Sequence, residues 1–229
     1  MIKAIVTDIE GTTTSISFVA DVLFPYARER IAQFVLDHAH EPDVAAEIDA
    51  VRKQINEPGA SLERVGQVLV SWIDQDLKIT PLKTLQGIIW RVGYDDGSLK
   101  GHLYPEVAQR LRAWKAAGVQ LNVYSSGSEA AQKLLFGFSE AGDITPLFDH
   151  FFDTRIGGKR EAASYEHIKQ ALNLPGEQIL FLSDIVQELD AAAAAGVKTI
   201  ALDRQCIGDG FGAHPVVNNF DQIDLGSVR

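Results

Sequence analysis

Two carboxylates stand two residues apart near the start of the chain, in the segment Asp8-Ile9-Glu10-Gly11-Thr12-Thr13. If a strand pattern continued through this segment, both carboxylates would point to the same side. Such a pair suits Mg²⁺, a hard cation that prefers oxygen ligands. One carboxylate can then attack phosphorus while the other transfers a proton. The alternative is a turn at a strand end with two solvated acids, because this spacing alone is a weak signal.

Two later segments contain polar groups of the kinds that bind a phosphate. Ser125-Ser126-Gly127-Ser128 follows an apolar run and precedes a helical pattern. Hydroxyls and amides at the start of a helix form an anion site, although an ordinary helix N-cap is the simpler alternative. Lys159 follows Gly157 and Gly158, and a lysine on a glycine turn can neutralise a phosphate in a crevice. A solvated surface lysine is the alternative for Lys159.

A third carboxylate, Asp184, ends another apolar run and could complete the metal site. Glu188 lies four residues later on a helical pattern, and two interpretations of it stay open. It is either a charge on an exposed helix surface or a group that orients a ligand or a water molecule. Cys206 is the only cysteine, so the chain has neither an intrachain disulfide nor a CxxC zinc motif. No His-Asn or His-Asp pair near it indicates a thiol nucleophile.

Short apolar runs lead into these polar groups and predict buried strands. Runs that are apolar nearly throughout are typical of a parallel sheet covered on both faces. Helical patterns alternate with the strands, which predicts an open α/β sheet whose ligands bind beyond the carboxyl ends of the strands. The predicted strands are Ile2–Thr7, Val119–Tyr124, Ile179–Leu182 and Val197–Leu202, and the helices between them are Pro105–Ala117, Glu129–Phe136, Arg160–Leu172 and Val186–Ala195.

The region from Ser17 to about Tyr94 shows helical spacing only. We therefore predict an all-helical insert at residues 16–97 and an α/β core formed by residues 1–15 and 98–229. The insert's four helical patterns cover Phe18–Ala39, Val44–Ile55, Leu62–Leu77 and Pro81–Val92.

The charge balance excludes some classes of partner. Lys and Arg total 21 against 31 Asp and Glu in 229 residues, a formal net charge of −10. Nucleic acids and anionic membranes both demand a basic face, so we expect neither as a partner. No apolar run approaches the ~20 residues of a membrane span, and the start, MIKAIVTDIEG, lacks the pattern of a signal peptide. We expect a cytoplasmic protein and, without a large apolar stripe, a monomer.

The order of carboxylate pair, hydroxyl, lysine and third carboxylate resembles the haloacid dehalogenase superfamily of phosphotransferases. That resemblance implies a Rossmann-like core, Mg²⁺ and an aspartyl-phosphate intermediate. Glu10 stands where phosphatases of this superfamily usually have Asp. With the segments DIEGTT, VYSSGS, QKLLFG, FDT-IG-K and FLSD, it makes the chain similar to the enolase-phosphatase family of methionine salvage. The similarity runs over nearly the whole chain and implies that the helical insert is the cap.

The resemblance implies catalytic roles for three residues. Asp8 would be the nucleophile, Glu10 the acid and base, and Lys159 the group that balances charge on phosphate and nucleophile. Ser125 and Ser126 would bind the substrate phosphate together with Lys159.

The resemblance also implies one Mg²⁺ per subunit. Its ligands would be the carboxylates of Asp8 and Asp184 and the backbone carbonyl of Glu10. The resemblance assigns no role to Glu188, for which an orienting role beside these ligands stays one of the two interpretations.

The implied substrate is 2,3-diketo-5-methylthiopentyl-1-phosphate. It would be enolised and then dephosphorylated to the acireductone 1,2-dihydroxy-3-keto-5-methylthiopentene, which is the acireductone synthase step of methionine salvage from methylthioadenosine. One alternative is a Mg²⁺-dependent phosphatase of the same superfamily that acts on another small phosphoester. Another is a non-catalytic phosphate-binding domain, which predicts losses among the motif residues that are not seen. Candidates for the apolar lining around the methylthio tail, with cap–core packing as their other role, are Phe18, Phe24, Tyr26 and Trp90.

Overall fold

The computed structural model of the chain describes residues 1–228. It divides into two compact units. The sheet unit comprises Met1–Ile16 and the chain from Gly101 onward, and the helical unit comprises Ser17–Lys100. None of the helices among the described residues is both long enough and apolar enough to cross a membrane.

The helical unit packs its helices around one apolar core. Its helix starts follow local chemistry, because Pro42 and Pro81 stand in first turns and the Ser61 side chain accepts the Arg64 N–H. All four predicted helices are confirmed, but the first includes a π-helical turn that the apolar spacing did not reveal. The elements are α1 (Ile16–Phe18), the π-helical segment Val19–Leu23, α2 (Phe24–His38), α3 (Pro42–Gln54), α4 (Leu62–Asp74) and α5 (Thr80–Asp95).

The sheet unit contains one six-stranded parallel sheet in the order β3-β2-β1-β4-β5-β6. The four strands predicted from apolar runs are its four central strands, and β1 and β4 are buried along their whole length. This confirms the predicted α/β fold with a parallel sheet. The strands are β1 (Ala4–Thr7), β2 (Gln120–Tyr124), β3 (His150–Phe152), β4 (Ile179–Ser183), β5 (Lys198–Leu202) and β6 (Val216–Val217).

The apolar runs did not reveal the two edge strands. β3 has three residues and β6 has two, and each retains exposed or partly exposed positions. Edge strands are commonly short and only half covered, so they lack the continuous apolar run that marks a central strand.

Four main helices connect the strands, and all four were predicted within a few residues of their bounds. Ser128 caps the second of them by accepting the Ala131 N–H, and Asn173 ends the third in a left-handed conformation. The helices are α6 (Val107–Ala116), α7 (Glu129–Gly137), α8 (Ala162–Leu172) and α9 (Val186–Ala194).

The strand register gathers the polar strand ends at one edge of the sheet. Thr7 pairs with Val123 on one side and with Leu182 on the other. Asp8 therefore follows β1 at the level where β2 and β4 also end. Polar groups from three neighbouring strands thus reach the carboxyl edge together, where ligands bind in such sheets.

Candidate functional site

The loop after β1 gives its two carboxylates different surroundings. Asp8 still belongs to the sheet, because its N–H donates to the Leu182 carbonyl at 2.9 Å, and it is only 5% exposed. The chain then turns tightly, and the Ile9 carbonyl accepts the N–H groups of Thr12, Thr13 and Thr14. Since β1 ends at Thr7, strand alternation does not extend to Glu10, whose side chain is exposed. The solvated-acid alternative is therefore wrong for Asp8.

Gly11 brings this loop against Asp184. Its φ is +70°, a conformation that residues with a Cβ rarely adopt. A Cβ at this position would also overlap the Asp184 carboxylate. The glycine of the first motif therefore permits close approach between the loop after β1 and the residue after β4.

Lys159 joins two carboxylates in a buried cluster. Its Nζ lies 2.6 Å from Asp8 Oδ1 and 2.7 Å from Glu188 Oε2. The side chains of all three are at most one-tenth exposed. The Ser183 hydroxyl also donates to Glu188 Oε2 at 2.9 Å. The surface interpretations of Lys159 and Glu188 are therefore wrong.

Burial is the main cause of the raised pKa values of Asp8 and Asp184. It raises the pKa of Asp8 to about 7, even though Lys159 acts in the opposite direction; Glu188 raises it further. Burial likewise raises the pKa of Asp184 to about 6. Burial alone would lower the pKa of Lys159, but the charges of Asp8 and Glu188 outweigh it and the pKa is raised. Lys159 therefore keeps its charge in this cluster, whereas both aspartates hold a proton to higher pH than a free carboxyl group does.

Hydrogen bonds from two tyrosine hydroxyls hold the backbone of Lys159 and of the turn that precedes it. The Tyr165 hydroxyl donates to the Lys159 carbonyl at 2.7 Å, and the Tyr124 hydroxyl donates to the Gly157 carbonyl at 2.9 Å. Gly157 has φ +132°, and a Cβ there would overlap the Ser164 hydroxyl. Neither tyrosine was predicted, because nothing in the sequence around Tyr124 or Tyr165 indicates that its hydroxyl donates to this part of the backbone.

The loop after β2 contains the two candidate serines. Ser125 is buried, its N–H donates to the Phe152 carbonyl, and its Oγ accepts the Gly127 N–H at 3.1 Å. Ser126 is exposed. Ser128 is the N-cap of α7, so the N-cap interpretation is correct for Ser128. It does not account for Ser125 and Ser126.

The strand register brings the polar ends of β1, β2 and β4 to the same edge of the sheet, but the end of β5 has another task. Both carboxylate oxygens of Asp203 accept N–H groups of the loop that follows it, from Ile207 and Gly208. Asp203 therefore holds its own loop. The next residue, Arg204, does act on the site: its guanidinium donates to the Thr12 carbonyl at 2.6 and 3.1 Å and pairs with Glu106 at 2.5 Å. Arg204 was not predicted, because nothing in its position along the chain links it to the loop after β1.

Asp184 offers an oxygen suited to a cation. Among residues 1–228, its Oδ1 is buried and has no hydrogen-bond partner. Nowhere in that range do three His, Cys, Asp or Glu side chains converge on one metal position. Mg²⁺ commonly binds one or two carboxylates and takes its other ligands from water and substrate phosphate. Asp8, Asp184 and a backbone carbonyl fit that ion.

Comparison with known proteins places this chain in a family. A family model of haloacid dehalogenase-like hydrolases matches residues 2–196. The Enolase-phosphatase E1 of Pseudomonas aeruginosa (strain UCBPP-PA14) is 57% identical over 97% of this chain and 98% of its own. That of Serratia proteamaculans (strain 568) is 56% identical over 99% of this chain and 98% of its own. The crystal structure of the UTR4 protein from Saccharomyces cerevisiae is similar with a TM-score of 0.82 at 30% identity, covering 97% of this chain and 100% of that one.

Local motifs, fold and full-length similarity agree. The sheet has the parallel order and the polar strand ends expected from the resemblance, and the similarity extends over both units. Enzymes of this group generally use Mg²⁺. The chain belongs to the haloacid dehalogenase-like hydrolases and, within them, to the enolase-phosphatase family.

Proposed function

We propose that this chain enolises 2,3-diketo-5-methylthiopentyl-1-phosphate and then removes its phosphate to give the acireductone, with Asp8 as the nucleophile. The single observation that supports this most is the contact of Asp8 Oδ1 with Lys159 Nζ at 2.6 Å inside a buried cluster. A buried carboxylate beside a fixed cation can attack an anionic phosphate without mutual repulsion. The activity of this family is acireductone synthesis in methionine salvage.

The phosphoryl transfer needs a nucleophile and a proton source, and the two carboxylates divide these tasks. An Asp8 oxygen attacks phosphorus, a bond forms between them, and the bond from phosphorus to the substrate oxygen breaks. Glu10 donates the proton that this leaving oxygen takes up. Glu10 then removes a proton from water, which attacks the aspartyl-phosphate, releases inorganic phosphate and restores Asp8. The burial of Asp8 and the exposure of Glu10 suit these tasks, since Glu10 can exchange protons with solvent.

Lys159 has an electrostatic task in both transfers. Its charge is already held in place by Asp8 and Glu188, so it needs no reorganisation when negative charge develops on phosphorus. Ser125 and Ser126 bind the phosphate together with it. Glu188 holds the ammonium group and receives the Ser183 hydrogen bond on the same oxygen.

The residues that would hold Mg²⁺ are Asp8, Asp184 and the backbone carbonyl of Glu10. When bound, the ion supplies positive charge that stabilises the developing enolate and phosphate oxygens. The helical insert predicted at residues 16–97 would act as the cap of this family. Within the helical unit, the candidate lining residues Phe24 and Trp90 stack with their ring centroids 6.4 Å apart, and Trp90 donates its indole N–H to the Leu23 carbonyl.

The test follows both steps on one substrate. The diketone phosphate is supplied with and without Mg²⁺, and the enol is followed by its absorbance while released phosphate is assayed separately. We expect Mg²⁺-dependent formation of the enol before phosphate release. A panel of sugar phosphates serves as the comparison. Faster turnover of a sugar phosphate than of the diketone would instead favour a phosphatase for another small phosphoester.

A variant separates the roles of the two carboxylates. The extra methylene of Glu10 over an aspartate places its carboxyl farther from the backbone and lets it serve a substrate with two reacting centres. Glu10→Asp should therefore slow enolisation and phosphate release to different extents. Equal slowing of both steps would contradict this account of Glu10.

A further inference from the structure

Gln132 is a buried amide on α7, and it belongs to the segment QKLLFG that marks the family resemblance. The site roles proposed above give this segment no task. The Gln132 side chain is 1% exposed and lies below the phosphate loop, which we define as Ser125–Ser128.

The amide group of Gln132 joins the phosphate loop to the end of β3. Its Nε2 donates to the Gly127 carbonyl at 2.8 Å and to the Phe152 carbonyl at 2.9 Å. Phe152 also accepts the N–H of Ser125. Both amide hydrogens are thus used on backbone carbonyls, while Oε1 is buried and, within residues 1–228, has no hydrogen-bond partner. A flipped amide would set Oε1 against two carbonyl oxygens, so these contacts settle its orientation.

The contact with Gly127 determines how one peptide group of the loop is oriented. In a planar trans peptide, the carbonyl and the following N–H point in opposite directions. Because the Gly127 carbonyl faces Gln132, the N–H of Ser128 faces away from it. Glycine at position 127 imposes little resistance to rotation of this peptide, so the hydrogen bond must hold the orientation.

We propose that Gln132 is a positioning residue that holds the phosphate loop in its phosphate-binding conformation. This inference rests on the proposed function, in which Ser125 and Ser126 bind the substrate phosphate. Its two hydrogen bonds orient the Gly127–Ser128 peptide and link it to the Phe152 carbonyl, which also accepts the Ser125 N–H. Without these hydrogen bonds the loop samples other conformations. Phosphate binding must then also order the loop, which lowers the affinity for phosphate.

The competing explanation is a stabilising role only, and the chain offers a matched control. Asn122 on β2 is another 1% exposed amide that donates to a backbone carbonyl, that of Ile5, at 3.1 Å. Its Oδ1 is also buried and lacks a partner among the described residues. Asn122→Leu therefore removes a comparable buried hydrogen bond from the same unit without touching the phosphate loop.

The test measures binding of inorganic phosphate to the Mg²⁺-loaded full chain by calorimetry, alongside the unfolding midpoint. Gln132→Met keeps the side-chain length and removes both donors, and Gln132→Glu keeps the shape while replacing the donor with an acceptor. We expect Gln132→Met to weaken phosphate binding roughly tenfold, because phosphate binding must then also order the loop, and Gln132→Glu to weaken it at least as much. Asn122→Leu should lower the midpoint and leave the phosphate dissociation constant unchanged.

Ser126→Ala distinguishes a failure of the inference from a failure of the proposed function. If Ser126→Ala weakens phosphate binding but both Gln132 variants bind phosphate as the wild type does, the positioning role is overturned and the phosphate site stands. If Ser126→Ala binds phosphate normally, or the wild type does not bind it, the proposed phosphate site itself is overturned. Equal weakening by Asn122→Leu and Gln132→Met would reduce Gln132 to a stabilising role.

Discussion

Asp8 and Asp74 are each paired with one basic side chain, and the two pairs lie in different units. Asp8 lies 2.6 Å from Lys159 in the sheet unit, and Asp74 lies 2.5 Å from Arg28 in the helical unit. The first pair has side chains 7% and 9% exposed, whereas those of the second are 45% and 49% exposed. The two aspartates lie about equally close to a cation, but Lys159 also contacts Glu188, whereas Arg28 contacts Asp74 through two nitrogens.

The difference in burial reverses the direction of the pKa shift of the carboxyl group. The hydrogen bond from Arg28 lowers the pKa of Asp74, so the folded protein favours its charged form. Burial raises the pKa of Asp8 to about 7 despite an equally close cation. A buried ion pair recovers little of its desolvation cost, and a site that maintains one does so for a reason other than stability. The burial of the Asp8 pair therefore agrees with the catalytic role proposed for it, whereas the Asp74 pair lies at the surface of the helical unit.

The largest expected effect comes from neutralising each aspartate. Asp8→Asn removes the nucleophile and should lower phosphate release on the order of 10⁴-fold or more, whereas Asp74→Asn should leave turnover unchanged. Their effects on stability should have opposite signs. At pH 8 without metal, Asp8→Asn removes a disfavoured charge and raises the unfolding midpoint, while Asp74→Asn lowers it. Steady-state assays and thermal unfolding measure both. Wild-type turnover by Asp8→Asn would exclude it as nucleophile.

The next effect comes from removing each cation. Lys159→Met leaves Asp8 and Glu188 buried together without a cation, which costs about 3–5 kcal/mol when a buried pair is broken. It should also lower kcat/KM by roughly 10²–10³-fold, because a preorganised charge at the phosphate is lost. Arg28→Met is the control and should retain wild-type turnover. If Lys159→Met keeps full kcat/KM while losing stability, Lys159 is structural only.

The pH dependence should also separate the two aspartates. The pKa values of Asp8 and Asp184 are raised to about 7 and 6, above their unfolded values near 4. Their contribution to stability is therefore complete below about pH 4 and is lost as the pH rises through 6 to 7. The lowered pKa of Asp74 gives a contribution that is present above pH 4 and is lost only in acid. Between pH 6 and 8 it should stay constant.

Metal-free unfolding midpoints at pH 6, 7 and 8 measure this dependence. The midpoint of Asp8→Asn relative to wild type should increase with pH, while that of Asp74→Asn should keep a constant offset. Mg²⁺ competes with protons for carboxylates, so it should raise the wild-type midpoint more at pH 8 than at pH 6. A Mg²⁺ effect that is independent of pH would contradict the assignment of Asp8 and Asp184 as its ligands.

The sequence indicated the central strands and the polar groups at their ends, because continuous apolar runs mark strands that are covered on both faces. It did not indicate which of the two acids in the first motif is buried. That depends on where β1 ends, and β1 ends at Thr7, where the chain turns around the Ile9 carbonyl.

The supporting residues could not be predicted for a related reason. Gln132 and Arg204 donate to backbone carbonyls of other elements, those of Phe152 and Thr12, and Tyr165 donates to the Lys159 carbonyl in the turn before its own helix. A motif records spacing along the chain, whereas such hydrogen bonds depend on how helices and strand ends pack in three dimensions. The resemblance to a family supplied QKLLFG as a signature but no physical task for Gln132.

The smallest expected effect concerns the surface pair itself. Arg28 connects α2 to Asp74 at the end of α4 through two parallel contacts, from Nε at 2.5 Å and from Nη2 at 2.9 Å. Two contacts give good geometry, but water and salt reach both side chains, so the pair contributes little to stability. A double-mutant cycle with Arg28→Gln and Asp74→Asn should give a small coupling at low salt that disappears in 0.5 M salt. The Debye length is ~10 Å at 0.1 M salt and shrinks to a few ångströms at the higher concentration, so exposed charges are then screened. The coupling of Asp8 to Lys159, shielded from ions by burial, should persist at both salt concentrations. If the two couplings respond to salt alike, burial is not what distinguishes the pairs.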